Sequence, residues 1–114
     1  MQYLLLLHAS ENGWSKLTPA EQEQGMAAYL AYMEALKQAG VYKGSNRLAP
    51  AANATTVRVA DGKTQVLDGP YADLKEQLGG YFLIETADLD AAISWAARCP
   101  GASHGTIEVR PLWQ

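Results

Sequence analysis

Apolar residues recur at two spacings along the chain, every second position in some segments and every third or fourth in others, which predicts both strands and helices. The first apolar run, Gln2 to His8, holds Tyr3 and four leucines and ends before the polar stretch 10–13. We expect this run to form a first strand that ends at His8.

A long first helix is predicted from Pro19 to Ala39. Thr18 and Glu21 have the spacing of a capping box, and proline is favoured at the first helical position. Gly40 is suited to cap the other end. Apolar residues recur between these ends at helical spacing. They are Met26, Tyr29, Leu30, Met33 and Leu36.

The rest of the chain predicts further strands and one more helix. Asp61-Gly62 lies between two strand-like segments and is typical of a hairpin turn, because both residues readily take positive φ values. In chain order, the predicted elements are a strand at 41–47, a hairpin at 55–67, a loop or single helical turn from Asp68-Gly69-Pro70 to Leu78, the pair Gly79-Gly80, a strand at 81–86, a helix capped by Asp88 and ended by Pro100-Gly101, and a strand at 106–112.

This order is the split βαβ of a ferredoxin-like α+β domain with an added β-hairpin, and residues 1–114 fit one domain. Right-handed connections place both helices on one side of the sheet. The first strand and the strand at 81–84 are nevertheless apolar on both sides, as in strands that are buried on two faces. We therefore expect a homodimer that covers the open side, and the alternative is that the loops at 9–17 and 48–54 fold over it.

Charge and cysteine content exclude several classes of partner and site. Lysine and arginine number 9 against 12 acidic residues, a net charge of −3, which is the opposite of the basic surface that nucleic acid requires. The early apolar run is too short for a signal sequence or a membrane span, so we expect a cytoplasmic protein with no membrane partner. Cys99 has no second cysteine to pair with, and it and His104 have no further ligand at metal-binding spacing, so no metal is expected.

The segment Asp68–Tyr81, which reads DGPYADLKEQLGGY, is similar to the signature of the DGPF-type branch of the YCII-related family, with Tyr71 in place of a phenylalanine. Flanking segments at 54–58, 88–90 and 109–111 extend the resemblance over nearly the whole chain. The resemblance implies a dimeric α/β-barrel architecture with a cleft between helices and sheet or at the dimer seam. It also implies a His and Asp acid/base pair, and a likeness to proteins found alongside extracytoplasmic-function sigma factors.

His8 and Asp68 are the candidate catalytic residues. His8 ends the first strand, and an imidazole can exchange a proton near neutral pH. Asp68 ends the second strand of the hairpin, and a carboxylate beside an imidazole would orient it as a base. The alternative is that Asp68 only stabilises the Asp-Gly-Pro turn and that His8 is a satisfied polar residue at a strand end.

Arg58, Lys75 and Tyr32 are the candidate substrate-binding residues. Arg58 could hold a carboxylate or phosphate group of a ligand, or else form a salt bridge with Glu108 or Asp68. Lys75 could face a cleft or remain a solvated surface residue. We place Tyr29 in the core and Tyr32 at the flank of the long helix, where Tyr32 could line an aromatic pocket with Trp14 and Trp95 or simply pack with its hydroxyl in water.

Two functions follow from these residues. The first is an enzyme, without metal or organic cofactor, that uses His8 and Asp68 for acid-base chemistry on a small organic molecule. The second is a non-catalytic module that binds a small ligand or a protein such as a sigma factor. A weaker third possibility, a cofactor-free oxygenase, rests on the fold alone.

Overall fold

The computed structural model describes residues 1–113, which form a four-stranded sheet, a separate hairpin and three α-helices. The strands are β1 (Gln2–Ala9), β2 (Tyr42–Arg47), β3 (Thr55–Ala60), β4 (Lys63–Asp68), β5 (Gln77–Glu85) and β6 (Thr106–Pro111). The α-helices are α1 (Glu11–Ser15), α2 (Pro19–Gln38) and α3 (Leu89–Arg98), and short 3-10 turns lie at Ala51–Asn53 and Pro100–Ser103.

The main sheet has the order β2-β5-β1-β6, and every neighbouring pair is antiparallel. This is the predicted ferredoxin-like α+β fold, with β3 and β4 added as a separate two-stranded sheet. The strands β1 and β5 lie at the centre, which explains why their sequences are apolar on both sides. The fold class expected from the sequence is confirmed.

The core lies between one side of the sheet and the helices α2 and α3. Buried residues of β1 and β5 meet buried residues of the two helices and the thiol of Cys99. Leu5, Leu36 and Ile84 are the largest side chains with no residual exposure. The full cluster is Tyr3, Leu5, Tyr32, Leu36, Phe82, Ile84, Ala92, Ala96 and Cys99.

Helix α2 begins as predicted, and three of the five predicted apolar positions, 29, 33 and 36, lie in or against the core. The Thr18 side chain accepts a hydrogen bond from the Glu21 backbone, and the Thr18 backbone donates to the Glu21 carboxylate, which completes the capping box. Met26 and Leu30 are more than half exposed, whereas Tyr32 is 5% exposed. Apolar spacing at positions 26 and 30 therefore does not mark the buried side of this helix.

Neither α2 nor α3 covers the other side of the sheet. The residues of β1 that alternate with the buried Tyr3 and Leu5 are Leu4 and Leu6, and both are only partly buried. Leu83 lies opposite Leu4 on β5 and is also partly exposed. We call the surface formed by Leu4, Leu6 and Leu83 the open face.

The hairpin of β3 and β4 projects from the domain. Its turn is Asp61-Gly62, and both residues have positive φ values, 52° and 74°, as the sequence predicted. Val57 and Val66 lie opposite each other and are each 61% exposed. The described chain measures 48 × 42 × 18 Å, so it is a flat molecule with one layer of helices on one sheet.

The segment before β5 agrees with the prediction in one respect and differs from it in another. Residues 70–76 form a loop with bends and no helical turn, which is one of the two predicted alternatives. Gly79 and Gly80 do not precede the strand but belong to it, because β5 begins at Gln77. A side chain at Gly80 would meet the backbone of Asn46 on β2, which explains the glycine inside a central strand.

Candidate functional site

His8 lies near the end of β1, between β5 and β6. Its register partners are Leu78 on β5 and Thr106 on β6, and the pairing of β1 with β5 shifts by one residue between Leu7 and His8. Gly105 packs against the backbone carbonyl of His8 so closely that a Cβ at this position would collide with it. The backbone around His8 is therefore tightly constrained.

A largely apolar cavity of about 560 Å³ opens beside His8. Its walls come from the segment after β2 and from the segment between β4 and β5. Polar side chains in the wall are few, and they include Asn53 and Gln77, whose amide donates to the carbonyl of Ala72 at 2.8 Å. A volume of this size suits a small organic ligand. The lining residues of this His8 cavity are His8, Leu48, Ala49, Pro50, Ala51, Asn53, Ala54, Pro70, Tyr71, Ala72, Leu74, Gln77 and Leu78.

The nearest acidic partner of His8 is Glu108 on β6. Nε2 of His8 lies 3.5 Å from Oε1 of Glu108, an ion-pair distance without hydrogen-bond geometry. Among residues 1–113, this Nε2 is the one buried side-chain nitrogen or oxygen that has no hydrogen-bond partner. The imidazole therefore has unused hydrogen-bonding capacity at Nε2, the nitrogen that lies beside Glu108.

Asp68 lies in an adjoining cavity of about 500 Å³, which is more polar. The two cavities share four wall residues, Ala51, Pro70, Leu74 and Gln77. Within the described part of the chain, Asp68 forms no ion pair with His8. The predicted catalytic residues thus line neighbouring cavities without touching, and the catalytic role of each stays a prediction.

Of the predicted substrate-binding residues, Lys75 lines the same polar cavity as Asp68 and is exposed. Arg58 lies on the projecting hairpin, opposite Gln65, and lines neither cavity. Neither suggested salt bridge of Arg58, with Glu108 or with Asp68, is formed by the described residues.

The placement of Tyr32 at the flank of the helix is wrong. Tyr32 is buried in the core, where its hydroxyl donates to the carbonyl of Trp95 at 2.7 Å, and it lines neither cavity. Its ring meets Phe82 edge to face, with centroids 5.2 Å apart. Tyr29, which we expected in the core, is partly buried and packs against the core cluster.

Sequence reasoning missed Glu108 and Arg110 as neighbours of His8. Glu108 was considered only as a partner of Arg58. A usable signal was present, because Glu108 and Arg110 interrupt the last apolar strand at alternate positions and therefore share one side of it. The pairing of β6 with β1, which brings that side of the strand next to His8, was not inferred from the sequence.

Residues 1–113 contain neither a metal-binding cluster nor a membrane-spanning helix. No group of three or more His, Cys, Asp or Glu side chains in residues 1–113 is arranged to hold a metal ion. No helix within that range is long and apolar enough to cross a membrane.

The chain is similar to known proteins over its whole length. The profile of a family described as YCII-related domain matches residues 1–114. An uncharacterized protein of Rhizobium meliloti (strain 1021) is 39% identical, and the match covers 98% of this chain and 92% of that protein. A solved structure of 5-chloro-2-hydroxyhydroquinone dehydrochlorinase from Burkholderia phenoliruptrix AC1100, in complex with 2,5-dihydroxybenzoquinone, has a TM-score of 0.56 at 18% identity and covers 100% of this chain and 94% of its own. At this identity, the likeness to that structure concerns the fold alone.

Proposed function

Because the chain belongs to the YCII-related domain family, we propose that it is a small-molecule enzyme in which His8 transfers a proton to or from an organic ligand held in the His8 cavity. The observation that carries this proposal is the position of His8, the one imidazole at the wall of a largely apolar cavity among the described residues. A general acid or base of this kind contributes about 10²- to 10⁴-fold to a rate.

The proposed ligand is a small, mostly apolar ring compound with an ionisable hydroxyl group or an acidic C–H bond. The apolar walls favour the ring, and His8, Asn53 and Gln77 provide the few polar groups that would orient it. The structural neighbour is named for the dehydrochlorination of a hydroxyhydroquinone and was solved with a dihydroxybenzoquinone, and both compounds are rings with ionisable hydroxyl groups. No metal or organic cofactor enters this proposal.

Asp68 and Lys75 have supporting roles in this proposal. Both line the polar cavity that adjoins the His8 cavity, where Lys75 would neutralise negative charge on a substituent of the ring and Asp68 would accept a hydrogen bond from it. Arg58 is too far out on the hairpin to line either cavity of its own chain. A role for Arg58 in ligand binding therefore depends on a second copy.

We further propose that the protein acts as a homodimer through the open face. His8 shares the side of β1 that carries Leu4 and Leu6, so a second copy that covers this side would also border the His8 cavity. The exposed hairpin supports the same proposal, since an isolated two-stranded hairpin is only marginally stable in water. Contact with a sigma factor and a cytoplasmic location stay predictions from the sequence.

The test uses 5-chloro-2-hydroxyhydroquinone as a substrate and 2,5-dihydroxybenzoquinone as a ligand. His8→Gln should lower chloride release by about 10²-fold or more, while quinone binding measured by titration calorimetry and the melting temperature change little. The matched control is His104→Gln, because His104 is the other histidine of the chain and is exposed. Turnover that survives His8→Gln unchanged would refute the proposal, and quinone binding without turnover in the wild type would instead favour the non-catalytic module.

A further inference from the structure

Three charged or ionisable side chains share one side of the sheet at the edge of the His8 cavity. In the pairing of β1 with β6, Thr106 lies opposite His8, Glu108 opposite Leu6 and Arg110 opposite Leu4. Alternate residues of a strand point to the same side, so Glu108 and Arg110 project on the side of His8.

Glu108 divides its two carboxylate oxygens between its neighbours. Oε2 accepts hydrogen bonds from both Nε, at 3.0 Å, and Nη2 of Arg110. Oε1 is left facing Nε2 of His8 at 3.5 Å. The two hydrogen bonds converge on Oε2 and tether that oxygen to the guanidinium, which leaves Oε1 on the side of His8.

The energetic role of this cluster in folding is small. The side chains of Glu108 and Arg110 are 41% and 66% exposed, and ion pairs at such exposure contribute about 0–1 kcal/mol to stability. The effect of Glu108 on His8 is more specific. Nε2 is buried and has no hydrogen-bond partner among the described residues, so the charge of the Glu108 carboxylate 3.5 Å away determines whether this nitrogen carries a proton or a lone pair.

A neutral imidazole carries one proton on either Nδ1 or Nε2, and the neighbours of the ring decide which. A lone pair on Nε2 that faced a carboxylate 3.5 Å away would be repelled, whereas an N–H there is attracted. The proton therefore belongs on Nε2, and the lone pair belongs on Nδ1.

We infer that Glu108, held in place by Arg110, is a positioning residue that keeps the proton of neutral His8 on Nε2 and so leaves Nδ1 as the atom that accepts a proton from the ligand. This inference rests on the proposed function for its catalytic meaning. Its structural content, the identity of the protonated nitrogen, can be measured without any substrate.

The experiment measures the ring nitrogens of His8 by long-range ¹H–¹⁵N NMR, with the pH raised until the ring signals stop changing. His104→Gln serves as the background, so that the remaining histidine signal belongs to His8. In this background the spectrum should show the tautomer with the proton on Nε2. Glu108→Gln should shift the ring toward the other tautomer, because the amide group can present an N–H to Nε2.

Arg110→Lys is the conservative variant, and it should give an intermediate spectrum since lysine keeps the charge but lacks the two-bond contact. Glu85→Gln is the matched control, because Glu85 pairs with Lys43 and lies opposite Gln2 at the far end of β1. This control should leave the His8 spectrum unchanged.

The activity readout separates this inference from the proposed function. With a substrate that depends on His8, Glu108→Gln should lower kcat about tenfold or more and change KM little. An unchanged tautomer in Glu108→Gln would overturn the inference even if His8→Gln abolishes turnover. A changed tautomer in Glu108→Gln together with full activity in His8→Gln would instead overturn the proposed function. The assignment of the proton to Nε2 would then still hold.

Discussion

The hydroxyl of Tyr32 donates a hydrogen bond to the backbone carbonyl of Trp95, 2.7 Å away, and thereby joins helix α2 to helix α3 above the sheet. Tyr32 is 5% exposed, so its hydroxyl has no ready access to water as an alternative partner. The contact is thus part of the core and not of a ligand pocket.

Removal of this hydrogen bond should destabilise the fold. Tyr32→Phe keeps the ring that packs edge to face on Phe82 but leaves the Trp95 carbonyl without its donor, at an expected cost of about 1–3 kcal/mol in the free energy of unfolding. Urea denaturation measures this change. Tyr71→Phe is the control, because Tyr71 is 84% exposed; equal stabilities of the two variants would contradict the assignment of Tyr32 to the core.

Stability should fall at alkaline pH because of groups on the helix side of the sheet. Burial raises the pKa of Tyr29 to about 12, and burial likewise raises the pKa of Tyr32 and of the Cys99 thiol. The folded chain therefore holds these protons more tightly than the unfolded chain does. The stability that these three groups contribute is fully present below their unfolded-state pKa values, which are about 9 for the thiol and 10 for the phenols. This stability is lost as the pH rises toward their folded-state pKa values.

The measurement is the urea midpoint between about pH 8 and 12. Tyr29→Phe should make the decline above about pH 10 shallower than in the wild type, because one of the responsible groups is gone. Tyr71→Phe should leave the decline unchanged, since Tyr71 is exposed. A decline of the same steepness in Tyr29→Phe and in the wild type would show that burial of Tyr29 has no part in it.

A side chain at position 105 should disturb the strand that carries His8. The Cβ of Gly105→Ala would collide with the carbonyl of His8 and contact Ala9, and such overpacking costs about 1–3 kcal/mol. Thermal unfolding should show a lower melting temperature, and the amide NMR signals of residues 8 and 9 should shift. Gly44→Ala is the control, because nothing lies within 4 Å of a Cβ at Gly44; it should unfold at nearly the wild-type temperature.

The open face should be the dimer interface. The wild type should sediment with twice the chain mass of 12.3 kDa, and Leu6→Glu should sediment as a monomer, because a charge would be buried without a partner. Leu30→Glu places the same charge on α2, where Leu30 is already 63% exposed, and should remain dimeric. A wild type that sediments as a monomer at micromolar concentration would refute the proposed homodimer.

The elements of the fold could be predicted from the sequence because their signals are local. The capping box of α2 and the Asp61-Gly62 turn each act within a few residues, and the structure contains both. The buried face of α2 was predicted only in part, because positions 29, 33 and 36 lie in or against the core while two other predicted positions do not. Leu30 is apolar and exposed, and Tyr32 carries a hydroxyl and is buried, since its partner at Trp95 lies 63 residues away.

The candidate site could be predicted only in part, for a related reason. His8 was identified from its position at a strand end, and the structure places it in a cavity wall. The carboxylate beside it is Glu108, which lies 100 positions along the chain and reaches His8 only through the pairing of β1 with β6. Asp68 was the candidate because it belongs to a recognisable motif, and membership of a motif does not establish a contact.

The shift in register between β1 and β5 has a consequence for the wall of the His8 cavity. Leu7 pairs with Gly80 and His8 pairs with Leu78, so Gly79 is an additional residue on β5 with no partner of its own. Simple alternation from Phe82 would turn Leu78 toward the helices, but pairing with His8 turns it to the opposite side. The alternation of sides along β5 is therefore interrupted at Gly79, and Leu78 lines the His8 cavity instead of entering the core.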